Sequence, residues 1–259
     1  MLDTLHYALG VFSGALVGFS LGLVGGGGSI LAVPLMVYVV GIKNPHVAIG
    51  TSALAVALNA ALGLFNHARH RSVNWRCGIM YAVSGVIGAY VGSSAGKAVD
   101  GQRLLFLFAI VMIVVGVLML RRRKNVGDRD ARCQRTNAPK VLGYGLGTGM
   151  FSGFFGIGGG FLIVPGLVAS TNMVMINAVG TSLIAVTAFG LTTALNYAWS
   201  GLVNWPLAAV FIGGGLIGSM LGATFAKRLS GAGHLTTIFA AMIFAVAAFM
   251  LWKSASVIF

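Results

Sequence analysis

The sequence predicts an all-α fold: a polytopic helical membrane protein with eight long spans, two short broken or re-entrant helices and two internal repeats. Three observations carry that prediction. Apolar residues make up 58% of the 259 residues and charged residues only 8%, against roughly 45–50% and about 25% in soluble domains. Val141–Ala226 contains no Lys, Arg, Asp, Glu or His. No soluble core runs that far without a charged face, whereas a lipid-embedded bundle must. The net charge of +13, from 17 Lys and Arg against 4 acids, gathers in Arg121–Lys140. Charge placed that way argues against a nucleic-acid partner and for membrane lipid as the surroundings.

The elements follow in order. The chain opens Met1-Leu2-Asp3-Thr4, without the positive flank of a secretion signal, and its first apolar run is too long for one. It reads as a retained first span. Long apolar segments lie near residues 4–24, 46–68, 77–97, 104–120, 141–157, 175–200, 205–226 and 235–252. Each approaches the length a membrane helix needs, about 20 residues and no fewer than about 17. Two shorter pieces, 28–42 and 160–171, begin directly after Gly25-Gly26-Gly27-Gly28 and Gly156-Ile157-Gly158-Gly159-Gly160. Trp75 and Trp205, at helix starts, fit interfacial anchors.

The halves repeat. Gly14, Gly18, Gly22, Gly25, Gly27, Gly28 and Pro34 recur in the same spacing as Gly145, Gly149, Gly153, Gly156, Gly158, Gly159 and Pro165. After a one-residue slip, Gly50-Thr51-Ser52 matches Gly180-Thr181-Ser182, Asn66 matches Asn196, Val73-Asn74-Trp75 matches Val203-Asn204-Trp205, and Lys97 matches Lys227. The chain therefore divides into an N-terminal membrane repeat (1–120), a basic linker (121–140) and a C-terminal membrane repeat (141–259). The Arg121-Arg122-Arg123-Lys124 run places the linker in the cytoplasm by the positive-inside rule, together with the 69–76 loop. The matching 200–204 loop carries no charge, so matched loops fall on opposite faces and the repeats are inverted. Cys77 and Cys133 sit in unlike contexts and read as two unremarkable thiols, neither a disulfide framework nor a zinc cage.

Irregular backbone in a bilayer is tolerated only when buried in protein or lining a cavity. Glycine lets a ligand approach the main chain, and the N-terminus of a short helix after a break favours an anion. Gly26, Gly27, Gly28 and Ser29, with Gly158, Gly159 and Gly160, are therefore candidates for one small-anion site near the midplane. Thr51, Ser52, Thr181 and Ser182 either complete that site or bond to their own helix carbonyls. Gly14, Gly18, Gly22, Gly145, Gly149 and Gly153, spaced by four, read as helix-packing faces. Asn59, Asn66 and Asn196 are further polar positions within spans, the last two serving to join helices.

The acids are Asp3, Asp100, Asp128 and Asp130, all at ends or in loops. Cation and proton pathways commonly use carboxylates within spans, so their absence favours an anionic solute. His67 and His70 lack a third ligand for a metal, and no Gly-Lys-Ser/Thr follows the glycines to make a nucleotide loop. No cofactor or metal is expected. A Ser152–His234 hydrolase was weighed and set aside, because His234 falls at a helix edge and Ser152 on a packing face.

Gly22-Leu-Val-Gly-Gly-Gly-Gly-Ser-Ile-Leu-Ala-Val-Pro34, its second copy Gly153-Phe-Phe-Gly-Ile-Gly-Gly-Gly-Phe-Leu-Ile-Val-Pro165, and the downstream Ala-Ile-Gly-Thr-Ser (48–52) and Ala-Val-Gly-Thr-Ser (178–182) resemble the signature of the sulfite exporter TauE/SafE family of membrane permeases. The resemblance covers roughly residues 8–250. It implies a bacterial or archaeal inner-membrane transporter, no enzyme, exporting sulfur-containing anions such as sulfite or organosulfonates. The alternatives are transport of another small solute and a non-transporting assembly or sensing subunit whose linker binds lipid or a cytosolic protein.

Overall fold

The computed structural model describes residues 4–69, 72–121, 128, 133, 137–156, 158, 160–229, 241 and 243–253. All elements named within them are helical: α1 Thr4–Val24, a 3-10 stretch Gly25–Leu31, α2 Ala32–Pro34, a π-helical turn Leu35–Val39, α3 Pro45–Arg69, α4 Trp75–Lys97, α5 Gly101–Arg121, α6 Ala138–Phe155, α7 Gly160–Thr171, α8 Met175–Trp199 and α9 Trp205–Leu229. A last helix, α10, covers Ile243–Lys253. Helices satisfy their own backbone, which lipid cannot do for them.

Among the described residues, six helices are long and apolar enough to cross a membrane: Thr4–Leu23, Pro45–Arg69, Trp75–Lys97, Gly101–Leu118, Met175–Trp199 and Trp205–Gly222. Eight were expected. The segment near 141–157 forms α6, of 18 residues, but Lys140 and its many glycines lower its hydropathy. The segment near 235–252 is described continuously only from Ile243.

Glycines set the packing. On α1, Gly14 abuts the backbone of Phe211 and Gly18 that of Gly215; from α9, Gly218 abuts Ala15 and Gly222 abuts Phe19. The contacts advance together along both chains, so α1 and α9 run parallel. The same arrangement joins α4 to α6, where Gly149 meets Gly85, Gly153 meets Ala89 and Gly96 meets Phe154. Backbones this close gain dispersion and leave no room for a side chain. Between these pairs α3 and α8 cross antiparallel, with Gly63 against Leu183 and Gly190 against Ala57.

Two loop contacts tie the bundle ends. The Asn74 N–H donates to Thr181 Oγ1 at 2.9 Å, and the Asn204 N–H donates to Thr51 Oγ1 at 3.0 Å. Each Asn also accepts from the helix it precedes, Cys77 N–H at 3.2 Å and Leu207 N–H at 3.1 Å, an N-cap that satisfies an otherwise orphan amide. The motifs Gly-Thr-Ser and Val-Asn-Trp are thus partners: each copy of one holds the other copy of the other.

The loops sort to two ends. At one lie the start of α1, the 40–44 loop and the 200–206 loop, which share a cleft. At this end Lys97 Nζ donates to Asn196 Oδ1 and Ser200 Oγ, both at 2.9 Å. At the other lie the loop before α4, the loop between α7 and α8, and the two described parts of the linker. Asp128 is bridged there to Met173, its N–H donating to Asn172 O at 2.8 Å and its carbonyl accepting from Val174 N–H at 3.2 Å.

The expectation of two separate thiols is corrected. Cys77 and Cys133 are joined by a disulfide, with Cα atoms 5.3 Å apart across a sequence separation of 56. The physical reason is tertiary: Asp128 is held at the 172–174 loop, and Cys133, five residues on, lies against Cys77 where α4 opens.

Gly18→Leu and Gly149→Leu are each expected to cost about 1–3 kcal/mol, because the opposing atom is backbone and cannot turn away. Gly147→Leu should be neutral, since no heavy atom lies within 4 Å of its Cβ position. Thermal unfolding in detergent checks the three. Thr51→Val and Thr181→Val should each lower stability by about 1 kcal/mol through the lost loop bond, read by the same assay.

Candidate functional site

The two glycine clusters break their helices differently. Gly156 ends α6 in the left-handed region at φ +66°, its N–H bonding back to Gly153 O at 3.1 Å, a glycine-dependent cap. Gly158 is also left-handed, at φ +65°. The first cluster stays right-handed and winds tighter as the 3-10 stretch Gly25–Leu31. Glycine is needed there for a different reason: a Cβ on Gly28 would strike the backbone of Ser20 and Leu21 in α1.

The breaks meet. α7, which starts at Gly160, packs against the Gly25–Leu31 stretch. Gly158 sits between α3 and α8, where a Cβ would come within 3.0 Å of Val56 and 3.5 Å of Val186. Those valines occupy matching positions of the two halves. Gly156 abuts Ile49 of α3, and α3 and α8 both touch the Gly25–Leu31 stretch. Ser29 and Gly160 are buried. Gly159 lies outside the described residues.

The hydroxyls are placed elsewhere. Thr51 and Thr181 are fully buried and hold the loops at opposite ends of the bundle. Ser52 Oγ donates to Ile49 O at 3.0 Å and Ser182 Oγ to Val179 O at 2.7 Å, the local bonding open to serine in a membrane helix. The structure therefore packs the Gly25–Leu31 stretch against α7 and against both crossing helices, lodges Gly158 between those same two helices, and sets Thr51-Ser52 and Thr181-Ser182 to either side of Gly158.

Asn59, one turn along α3 from Val56, is a polar side chain whose bonding is not explained locally. It is 1% exposed, and among the described residues neither Oδ1 nor Nδ2 has a partner. It faces Gly215 of α9, which itself abuts Gly18 of α1. In α8 the matching position is Phe189, which packs on Gly85 of α4. The packing site is repeated, but one copy carries an amide where an aromatic ring suffices for the other. An unpaired buried amide costs about 1–3 kcal/mol. Asn59 stood out in the sequence only as a polar residue within a span; its want of a partner becomes visible in three dimensions.

Known proteins bear the same pattern. The model of the sulfite exporter TauE/SafE family matches residues 10–250. A probable membrane transporter protein of Xylella fastidiosa (strain Temecula1) is 51% identical over 249 residues, covering 93% of this chain and 94% of that protein. YdhB of Bacillus subtilis, a probable membrane transporter protein, is 24% identical, covering 83% of this chain and 88% of its own. A probable membrane transporter protein of Haemophilus influenzae is 26% identical, covering 82% and 81%. No solved structure matches. A family match across nearly the whole chain, on helices suited to a bilayer, makes this protein an integral membrane transporter belonging to the sulfite exporter TauE/SafE family.

Proposed function

We propose that the chain exports small sulfur-containing anions, sulfite or organosulfonates, across the inner membrane by alternating access. The observation that carries this reading is the packing of the first glycine break on α7, the helix that follows the second, with Gly158 lodged between Val56 and Val186 at the crossing of α3 and α8. Irregular backbone at such a crossing can bind a solute through its amides when the repeats move apart. Residues proposed for the site are Gly26, Gly27, Gly28, Ser29, Gly158, Gly159 and Gly160, with Asn59 as an added donor. Thr51, Ser52, Thr181 and Ser182 shape its walls through the loops and carbonyls they hold. The sequence places no carboxylate within a span, which favours an anion over a cation. The export direction and the sulfur chemistry come from the family's name.

Alternating access follows from symmetry. α1 starts at the Lys43 end and its counterpart α6 at the Cys77 end, and the same reversal relates α3 to α8 and α4 to α9. We read the halves as inverted repeats whose relative rocking opens the central level first to one side and then to the other. Gly-Thr-Ser and Val-Asn-Trp, exchanged between the halves, are the natural pivots.

We further propose that the Cys77 end, with the linker, is cytoplasmic. Arg69, Arg76, Arg121, Lys140, Lys227 and Arg228 belong to this end; Lys43, Lys97, Arg103 and Lys253 belong to the other. The bias is the positive-inside pattern. The Cys77–Cys133 disulfide is the one feature favouring the reverse, since such bonds persist in oxidising compartments. In the proposed orientation the two thiols are reduced in growing cells and take a membrane-permeant maleimide but not an impermeant one. An oxidised pair in cells quenched with acid would turn the protein over.

Proteoliposomes of the purified protein should carry labelled sulfite. Gly158→Val should abolish flux, since it puts a branched side chain at positive φ against Val56. Asn59→Leu should unfold no earlier than wild type, because it removes an unpaired amide, yet lose at least tenfold in flux. Flux unchanged in both variants would remove the central level from the mechanism.

A further inference from the structure

At the Lys43 end a cleft of about 840 Å³ opens between the start of α1, the 40–44 loop and the start of α9. His6, Lys43, Asn44, Asn204 and Trp205 are among its lining residues, and among the described residues no Asp or Glu lines it. Lys43 is exposed and, among the described residues, makes no ion pair or hydrogen bond. Asn204 connects the cleft to the interior: its N–H is the one held by buried Thr51. Val56, the neighbour of Gly158, lies five residues further along α3, about 7 Å at helical rise. The cleft thus stands over the end of α3 that leads to the glycine level.

The matching region at the other end is built differently. There the counterpart of Lys43 is Met173, 1% exposed, and the backbone on either side of it is bonded to Asp128. Among the described residues, the matching region thus offers no exposed amine at this position. Repetition of the fold supplies the shape, and Lys43 is an addition to it.

We infer that this cleft is an anion vestibule, in which Lys43 captures small oxyanions from the outer solution and passes them to or from the central level. A concave site with low-dielectric walls and one sign of charge concentrates counter-ions. A single amine fits a mobile anion in transit, because it attracts without the fixed fork that would retain it. This inference rests on the anion reading above, and the test separates the two.

Trp205 lies in the cleft wall and is a built-in probe. With Trp75, Trp199 and Trp252 replaced by phenylalanine, Trp205 becomes the sole indole. Iodide should then quench its fluorescence, with sulfite competing. Lys43→Gln should lower the iodide quenching constant two- to fivefold, Lys43→Arg should keep it, and the neutral quencher acrylamide should be indifferent to both. The difference should vanish at molar salt. In proteoliposomes, Lys43→Gln should raise the half-saturating sulfite concentration by a similar factor with the maximal rate unchanged. Equal iodide quenching in wild type and Lys43→Gln would overturn the vestibule even where sulfite flux is normal. Absent flux with Lys43-dependent quenching would overturn the sulfite reading and leave the vestibule standing.

Discussion

A hydrocarbon interior offers an amide no water, so any interruption of a helix there has to be enclosed by other protein. Much of this molecule can be understood as that enclosure. Two interruptions, at Gly25–Leu31 and around Gly156 and Gly158, are covered by the crossing of α3 and α8. The crossing is held in turn by two parallel pairs, α1 with α9 and α4 with α6, whose backbones touch through glycine. Close contact without side chains is a rigid way to pack and a precise one. It fixes four long helices and leaves the centre for irregular backbone.

The division of labour among small residues follows. Glycines spaced by four are spent on packing. Contiguous glycines permit turns that other residues resist, left-handed at Gly156 and Gly158, and a close backbone approach at Gly28. Gly50 and Gly180 serve a third purpose. Each admits the carbonyl of a loop from the opposite repeat, Leu202 and Ser72 respectively, beside the threonine that binds the next part of that loop. Because these two clasps sit at opposite ends, motion about one need not break the other, which suits a machine that opens alternately.

Much of this was legible in the sequence. Gly14 and Gly18 announce a packing face, and Gly-Thr-Ser and Val-Asn-Trp each stand twice in the chain. The pairing of those motifs was not legible, because spacing along one repeat carries no information about contact with the other. Neither role the sequence allows Thr51 and Thr181, completing an anion site or bonding their own helix carbonyls, includes the loop N–H groups that their hydroxyls accept from. The Cys77–Cys133 bond escaped notice because the fold of the linker, and not local context, brings the sulfurs together. Asn59 was readable as a polar residue, but only burial against Gly215 reveals an amide with nothing to bond.

The claim beneath this account is that both glycine breaks present their backbone to the same anion. Amide hydrogen exchange of the purified transporter, with and without sulfite, addresses it directly. Sulfite should slow exchange in residues 25–31 and 156–161 together, at one shared half-saturating concentration, while α1, α9, α4 and α6 stay unchanged. Protection of one break alone, or of neither while sulfite is demonstrably transported, would contradict it.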